Sequence, residues 1–84
     1  AKAVGEKLKY ISKYSQVLIV THSASIAAQG NYNYFISKSI RNDKTYTEIK
    51  QLSEEETIEE IARISSGDVT NISIEHAKEM RKAC

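Results

Sequence analysis

The chain begins with apolar residues at helical spacing and continues with a strand-like apolar run. Val4, Leu8 and Ile11 lie at positions i, i+4 and i+7, which predicts an amphipathic helix over residues 2–14. The continuous apolar run 17–20 follows after a short polar join. Such a run is typical of a strand that is buried on both faces of a parallel sheet. We take this strand as the element around which the rest of the chain is organised.

The remaining pattern predicts three more helices and two more strands. In chain order they are a short helix over 23–30, strands over 32–40 and 45–52 joined by a loop of several residues at 41–44, a helix that begins at the capping box Ser53-Glu54-Glu55-Glu56 and ends at 65–67, and a helix from Thr70 or Asn71 to about Ala83. The predicted buried positions of the last two helices are Ile58, Ile61, Ala62, Ile64, Ile74, Ala77 and Met80.

These elements predict an α/β fold with about three strands, namely one parallel-sheet strand plus a β-hairpin, and flanking helices. We divide it into a helix–strand–loop unit (1–30), the hairpin (31–52) and two C-terminal helices (53–84). A helix followed by a parallel strand is half of a βαβ unit, and the sequence lacks the strand that should precede the helix. A parallel neighbour for residues 17–20 is therefore expected outside this chain, which we interpret as one partial domain.

Composition narrows the class of protein. The 84 residues carry a net charge of +1, with 27% charged and 40% hydrophobic residues, as in a soluble globular piece of one domain at most. The near-zero charge gives this segment no electrostatic basis for binding nucleic acid by itself. No apolar run is long enough to span a bilayer, and the three scattered glycines cannot form a phosphate-binding loop. The single cysteine, Cys84, is expected to be incidental and fits a reducing cytosol.

His22 is the first candidate for chemistry, because it follows the predicted strand at the edge where open α/β sheets bind ligands. A neutral imidazole there can contact a phosphate or a water. The alternative is a histidine that only satisfies local backbone groups, and the residues alone favour that structural role. A small hydrolase that uses Thr21 or Ser23 is least favoured, because adjacent strand residues point to opposite faces and no G-x-S-x-G motif is present.

Three further features have a functional and a structural interpretation, and the structural one is preferred for each. His76 has no neighbour at metal-ligand spacing and is expected to be a surface histidine. The glutamates of residues 54–60 suit the positive end of a helix dipole better than a cation site. Tyr32, Tyr34 and Tyr46 are expected to pack across the hairpin rather than to stack on bases, since no basic field surrounds them.

Several motifs in order along the chain resemble one protein family. The run Val17-Leu18-Ile19-Val20-Thr21-His22, followed by Ile26-Ala27-Ala28, resembles the switch-histidine strand of ABC-type ATPases of the SMC-like branch. The segments 3–8, 55–63, 66–68 and 76–79 resemble the C-terminal part of the RecN family of bacterial DNA repair proteins within that branch. The resemblance covers nearly the whole chain, and the segments after the hairpin are the ones that indicate RecN.

The resemblance implies that the chain is the C-terminal lobe of a P-loop ATPase head. In this family two heads form a homodimer that holds ATP with Mg²⁺ between them. The histidine that corresponds to His22 reaches the γ-phosphate and helps to order the attacking water, which makes it the implied catalytic and ATP-binding residue. Hydrolysis regulates a protein that acts on DNA in double-strand break repair and recombination, in the cytoplasm at the nucleoid and without a membrane partner.

The chain also departs from the family pattern. Ser23-Ala24-Ser25 stands where members carry a bulky residue, proline and glutamine. The P-loop, the signature motif and the catalytic glutamate lie upstream in the family and are absent from this sequence, so we expect this segment alone neither to bind ATP nor to hydrolyse it. The alternative is a stand-alone, non-catalytic α/β interaction module. In such a module, the apolar face of the first helix and the outer side of residues 17–20 would be closed within the chain.

Overall fold

A computed structural model of the chain describes residues 1–83, so the prediction for Cys84 lies outside the described residues. The described part contains four helices and one two-stranded sheet. These are α1 (Lys2–Ile11), α2 (Ala24–Gln29), β1 (Tyr34–Arg41), β2 (Lys44–Gln51), α3 (Glu54–Ser66) and α4 (Asn71–Lys82). The predicted mixture of helices with a hairpin is confirmed, and the chain is an α/β fragment in which the helices carry the core.

The predicted strand at residues 17–20 does not form. These residues have no regular secondary structure, and Leu18 and Val20 are 87% and 84% exposed. A strand is held by hydrogen bonds to a neighbouring strand, and in residues 1–83 the two strands present, β1 and β2, pair with each other. Two of the about three predicted strands are therefore present, and the apolar run instead lies open to solvent.

Capping side chains define both C-terminal helices. Ser53 accepts a hydrogen bond from the amide of Glu56, whose carboxylate accepts one from the Ser53 amide, so the predicted capping box is confirmed. Gly67 ends α3 at φ 85°, a left-handed conformation that glycine adopts at no steric cost. Thr70, one of the two predicted caps, begins α4 and forms a second reciprocal pair with Ser73. Local sequence signals therefore set the bounds of α3 and α4.

The hairpin is tighter than predicted, and it projects from the helices. Asn42 and Asp43 form a two-residue loop with φ values of 51° and 62°, as a type I′ turn requires, while Arg41 and Lys44 already pair across the strands. The predicted turn at 41–44 is thus confirmed, but its loop has two residues and the predicted length of several residues is wrong. Every residue of both strands is exposed, so neither face of the hairpin is covered within residues 1–83.

The core lies among the helices and is small. Its buried apolar members are Ala28, Ile61, Ala62 and Ala77, and the partly buried residues packed against them are Ala24, Ala27, Ile58, Ile74 and Met80. Helix α2 is central, because it packs against α1, α3 and α4. The predicted positions of α3 and α4 therefore do face the core, although Ile64 is only half-buried and outside this cluster.

Helix α1 is shorter than predicted and leaves two of the three residues of its apolar stripe exposed. It ends at Ile11, three residues before the predicted end at Tyr14. Val4 and Ile11 are 55% and 44% exposed, whereas Gly5 is the buried residue of this helix. Contact with α2 is therefore made through the small residue, while Leu8 is half-buried and the two ends of the stripe stay open.

Candidate functional site

His22 lies at the entrance of the central helix. It is exposed and immediately precedes Ser23, the N-cap of α2. Within residues 1–83 its imidazole has no hydrogen-bond or ion-pair partner. The structural interpretation, in which the ring satisfies local backbone groups, therefore has no contact to support it. The ring is free to meet a group from outside this segment.

The two hydroxyls beside His22 are used to shape its loop. The Ser23 side chain accepts a hydrogen bond from the amide of Ile26 at 3.4 Å and caps α2. The backbone amide of Ser23 donates to Oγ1 of Thr21 at 2.9 Å. Both hydroxyl oxygens thus accept bonds from the backbone around His22 instead of pairing with its ring, which leaves the hydrolase interpretation without support.

A buried amide joins α2 to α1. Gln29 is 8% exposed, and its Nε2 donates to the carbonyl of Lys2 at 3.3 Å and to that of Ser25 at 3.2 Å. The Gln29 amide occupies the space that a side chain at Gly5 would fill, because a β-carbon added there would lie 2.9 Å from Cδ and closer still to Nε2. The absence of a side chain at Gly5 thus leaves room for the Gln29 amide between α1 and the end of α2.

Arg81 of α4 holds the same end of α2 from the other side. Its Nη1 donates to the carbonyls of Ala28 at 2.9 Å and Gly30 at 2.7 Å. Its Nη2 and Nε donate to the carboxylate of Glu54 at 2.6 and 3.2 Å. The hydrogen bond from Arg81 lowers the pKa of Glu54 below its ordinary value. Nothing in the spacing of the sequence indicates this role for Arg81, because its carbonyl acceptors lie 53 and 51 residues away along the chain.

The acidic run of α3 takes part in ion pairs. A hydrogen bond from Lys50, at 2.6 Å, and the backbone amide of Ser53 lower the pKa of Glu56 to about 2. Glu60 pairs with Arg63 on the same helix. Residues 1–83 contain no group of three or more histidine, cysteine or acidic side chains that could hold a metal ion. These carboxylates thus cap α3 and pair with basic side chains.

The tyrosines of the hairpin do not form a platform. Tyr34 lies opposite Gln51 and Tyr46 opposite Ser39, which places the two rings on opposite faces of the sheet. Tyr46 packs against the guanidinium of Arg41, 4.8 Å from the ring centroid. The expected packing across the hairpin is thus found for Tyr46, through a cation–π contact.

Two remaining features concern the surface. His76 is exposed on α4, as predicted. The longest helix in the described part of the chain, α3, has 13 residues, and none there is long and apolar enough to cross a bilayer.

Comparison with known proteins identifies the relatives of this chain. It is 39% identical to the DNA repair protein RecN of Deinococcus radiodurans over 80 residues and 41% identical to that of Halalkalibacterium halodurans over 81, each match covering 95% of the chain. RecN of Bacillus subtilis is 39% identical over 83 residues, or 98% of the chain. The chain is similar to a segment of RecN over nearly its whole length. The predicted resemblance is thus confirmed, although no protein-family model matches.

The match covers a small part of each relative. The chain spans 14% of the length of each of these three RecN proteins. The contacts described above hold the short helix α2 at the point where the chain leaves His22.

Proposed function

We propose that this chain is the C-terminal lobe of the ATPase head of a RecN-type DNA repair protein, and that His22 contacts the γ-phosphate of ATP. The proposal extends the name and function of the RecN relatives to this chain. The observation that carries it is the exposed His22, which stands at the N-terminus of the central helix within a segment that matches RecN over 95% of its length.

Open apolar surface on α1 and on residues 17–20 favours a lobe over a stand-alone module. A stand-alone module would close the apolar face of α1 and the side of residues 17–20 within the chain. Both are open instead, since Val4 is 55% exposed and Leu18 and Val20 are 87% and 84% exposed. Contiguous exposed apolar surface usually marks a surface that another part of a protein covers. The rest of the ATPase head is the occupant that the RecN relationship suggests.

The proposed chemistry of His22 is a single contact in phosphoryl transfer. Such transfer is catalysed mainly by positioning and by stabilising charge on the phosphoryl oxygens. An imidazole N–H is a suitable donor to a γ-phosphate oxygen or to the attacking water. The hydrogen bonds of Thr21 and Ser23 fix the backbone on both sides of the ring and thereby limit the positions that it can reach.

The remaining parts of the reaction belong to the whole protein. ATP and Mg²⁺ would be held mainly by other segments of the head and by a second head in a homodimer, because the P-loop and the signature motif lie upstream in the family that the chain resembles. DNA would be bound through the full-length protein during double-strand break repair and recombination. We place that protein in the cytoplasm, associated with the nucleoid, and expect this segment alone to be inactive.

The test is ATP turnover by a RecN-length protein that carries this segment. We expect His22→Ala to lower kcat by about 100-fold, as for the loss of one preorganised donor, while the affinity for ATP changes less than about threefold. The matched control is His76→Ala, which removes the chain's other histidine from the exposed surface of α4. The control should keep parental turnover. If His22→Ala retained parental kcat, the γ-phosphate contact would be refuted.

A further inference from the structure

The geometry points to Arg81 as a positioning residue for His22. We infer that its guanidinium fixes the C-terminal end of α2, and thereby the orientation of the loop that presents His22 to the phosphate. This inference rests on the proposed function of His22, but the contact itself is a separate property of the chain that can be measured without ATP.

The Arg81 guanidinium bridges three helices at one point. It extends from α4, donates to two carbonyls at the end of α2 and forms a two-bond pair with Glu54 at the start of α3. Its side chain is 18% exposed, whereas the arginine of the Arg63–Glu60 pair is 53% exposed. Arg81 is therefore the more buried of the two arginines, whereas its partner Glu54, at 62%, is more exposed than Glu60, at 24%.

Arginine is chemically suited to this position. The last carbonyls of a helix have no partner within the helix, and α2 is too short to be stable without outside contacts. A guanidinium has five N–H donors in a fixed plane, so one edge can bind the Glu54 carboxylate while another donates to Ala28 and Gly30. Lysine carries a single ammonium group on a flexible side chain, so it cannot donate in one plane to both the Glu54 carboxylate and the two carbonyls.

The short length of α2 connects this contact to His22. Helix α2 has six residues, about 9 Å at 1.5 Å per residue, and His22 is joined directly to its Ser23 cap. A movement at Gly30 is therefore transmitted as a rotation of the whole helix, because a helix of fewer than two turns has little room to bend. Glu54 in turn keeps the guanidinium in place, so α3 and α4 together orient the His22 loop.

The experiment compares two arginines in a RecN-length protein that carries this segment. Arg81→Gln should lower kcat for ATP by about tenfold or more, as expected for a misplaced catalytic group, with ATP affinity changed by less than about threefold. Arg63→Gln, which breaks a pair confined to α3, should leave both unchanged. In a His22→Ala background, Arg81→Gln should lower kcat by less than about twofold, because the effects of two residues that act through one step are not additive.

Hydrogen exchange supplies a second measurement that does not depend on turnover. Amides of residues 24–31 should exchange about tenfold faster in Arg81→Gln than in the parent or in Arg63→Gln, while those of α3 should not change. Arg81→Lys should resemble Arg81→Gln, because one ammonium cannot replace the planar set of donors. Unchanged exchange in 24–31, or rescue by lysine, would overturn the inference.

The outcomes separate this inference from the proposed function. If His22→Ala has its expected defect and Arg81→Gln lowers kcat equally with and without His22, Arg81 does not act through His22 and only the present inference fails. If His22→Ala leaves turnover unchanged, the role of His22 and the positioning role of Arg81 both fail. Exchange in residues 24–31 would still report whether Arg81 fixes the end of α2.

Discussion

At the scale of single residues, Gly5 and Gln29 illustrate how one missing side chain determines a helix contact. Gly5 is buried in α1, where glycine costs about 1 kcal/mol relative to alanine. The Gln29 amide fills the space beside it and donates to carbonyls of both helices. The contact thus combines an unfavourable helix residue with a satisfied buried amide, and the balance between them can be measured.

We predict that the effect of Gly5→Ala changes sign with the residue at position 29. In the parent chain, the new methyl group displaces a buried, hydrogen-bonded amide, and we expect a net loss of about 1 kcal/mol in the free energy of unfolding. In a Gln29→Ala background the methyl group has room, and its helix propensity should stabilise the chain by about 0.5 to 1 kcal/mol. Urea unfolding of the four variants, followed by circular dichroism, measures the coupling. Equal effects in both backgrounds would rule out the contact.

Individual residues differ in how far the sequence predicts them. The exposed position of His22 beside a capped helix follows from its neighbours Thr21 and Ser23, which carry local hydrogen-bonding signals. The role of Arg81 does not follow, because two of its acceptors are main-chain carbonyls 53 and 51 residues away. Every residue has a main-chain carbonyl, so the side chains at positions 28 and 30 do not indicate that Arg81 binds there. Such a contact can be recognised only in the folded structure.

At the scale of elements, the start of α3 joins the hairpin to the helices. Lys50 at the end of β2 pairs with Glu56, and the same carboxylate accepts the amide of Ser53 in the capping box. The charge of Glu56 therefore serves an ion pair and a helix cap at once. Its pKa of about 2 records that both partners favour the ionised form.

We predict that this junction loses stability in acid. A carboxylate whose pKa is lowered on folding stabilises the folded state above its unfolded pKa, and the contribution is lost as pH falls through the folded value. For Glu56 this interval runs from its ordinary value of 4.5 down to about 2. Glu56→Gln keeps a capping-box acceptor but removes the charge, so it should be less stable than the parent at pH 7 and equal to it near pH 2.

The control for this prediction is Glu55→Gln, on the same helical turn. It removes one carboxylate from the positive end of α3 without breaking the pair with Lys50. Urea unfolding at a series of pH values measures the difference in the free energy of unfolding between the parent and each variant. This difference should shrink more in acid for Glu56→Gln than for Glu55→Gln. If the difference in the free energy of unfolding between the parent and Glu56→Gln did not change with pH, the lowered pKa of Glu56 would be contradicted.

Elements with local signals were predictable, and the one that depends on a distant neighbour was not. The caps at Ser53 and Thr70 and the glycine at 67 give α3 and α4 their bounds from a few adjacent residues. The run 17–20 has strong strand preference, yet no strand pairs with it in residues 1–83. Strand preference largely reflects packing against neighbours, so the composition of a run alone cannot determine whether it forms a strand.

At the scale of the whole molecule, the chain exposes more surface than its size requires. Its accessible area is 6591 Å², against about 5,000 Å² for a compact monomer of this mass. Its radius of gyration is 14.2 Å, against about 12 Å for 84 compact residues. The excess arises from the projecting hairpin, the open stripe of α1 and the exposed run 17–20. The whole chain therefore has the surface expected of a lobe whose remaining partners lie elsewhere.

We predict that the 84-residue chain on its own associates through this surface. Leu18 is 87% exposed within a continuous apolar run, and Ile72 on α4 is 84% exposed but has Glu75 and His76 as its neighbours one turn later. Contiguous apolar area, rather than the exposure of a single residue, drives association. Leu18→Ser should therefore reduce the apparent mass at high concentration, measured by light scattering, and reduce dye binding to apolar surface, whereas Ile72→Ser should change neither. A monodisperse monomer that binds no dye would show that the surface is closed in solution. That result would favour the stand-alone module over the ATPase lobe.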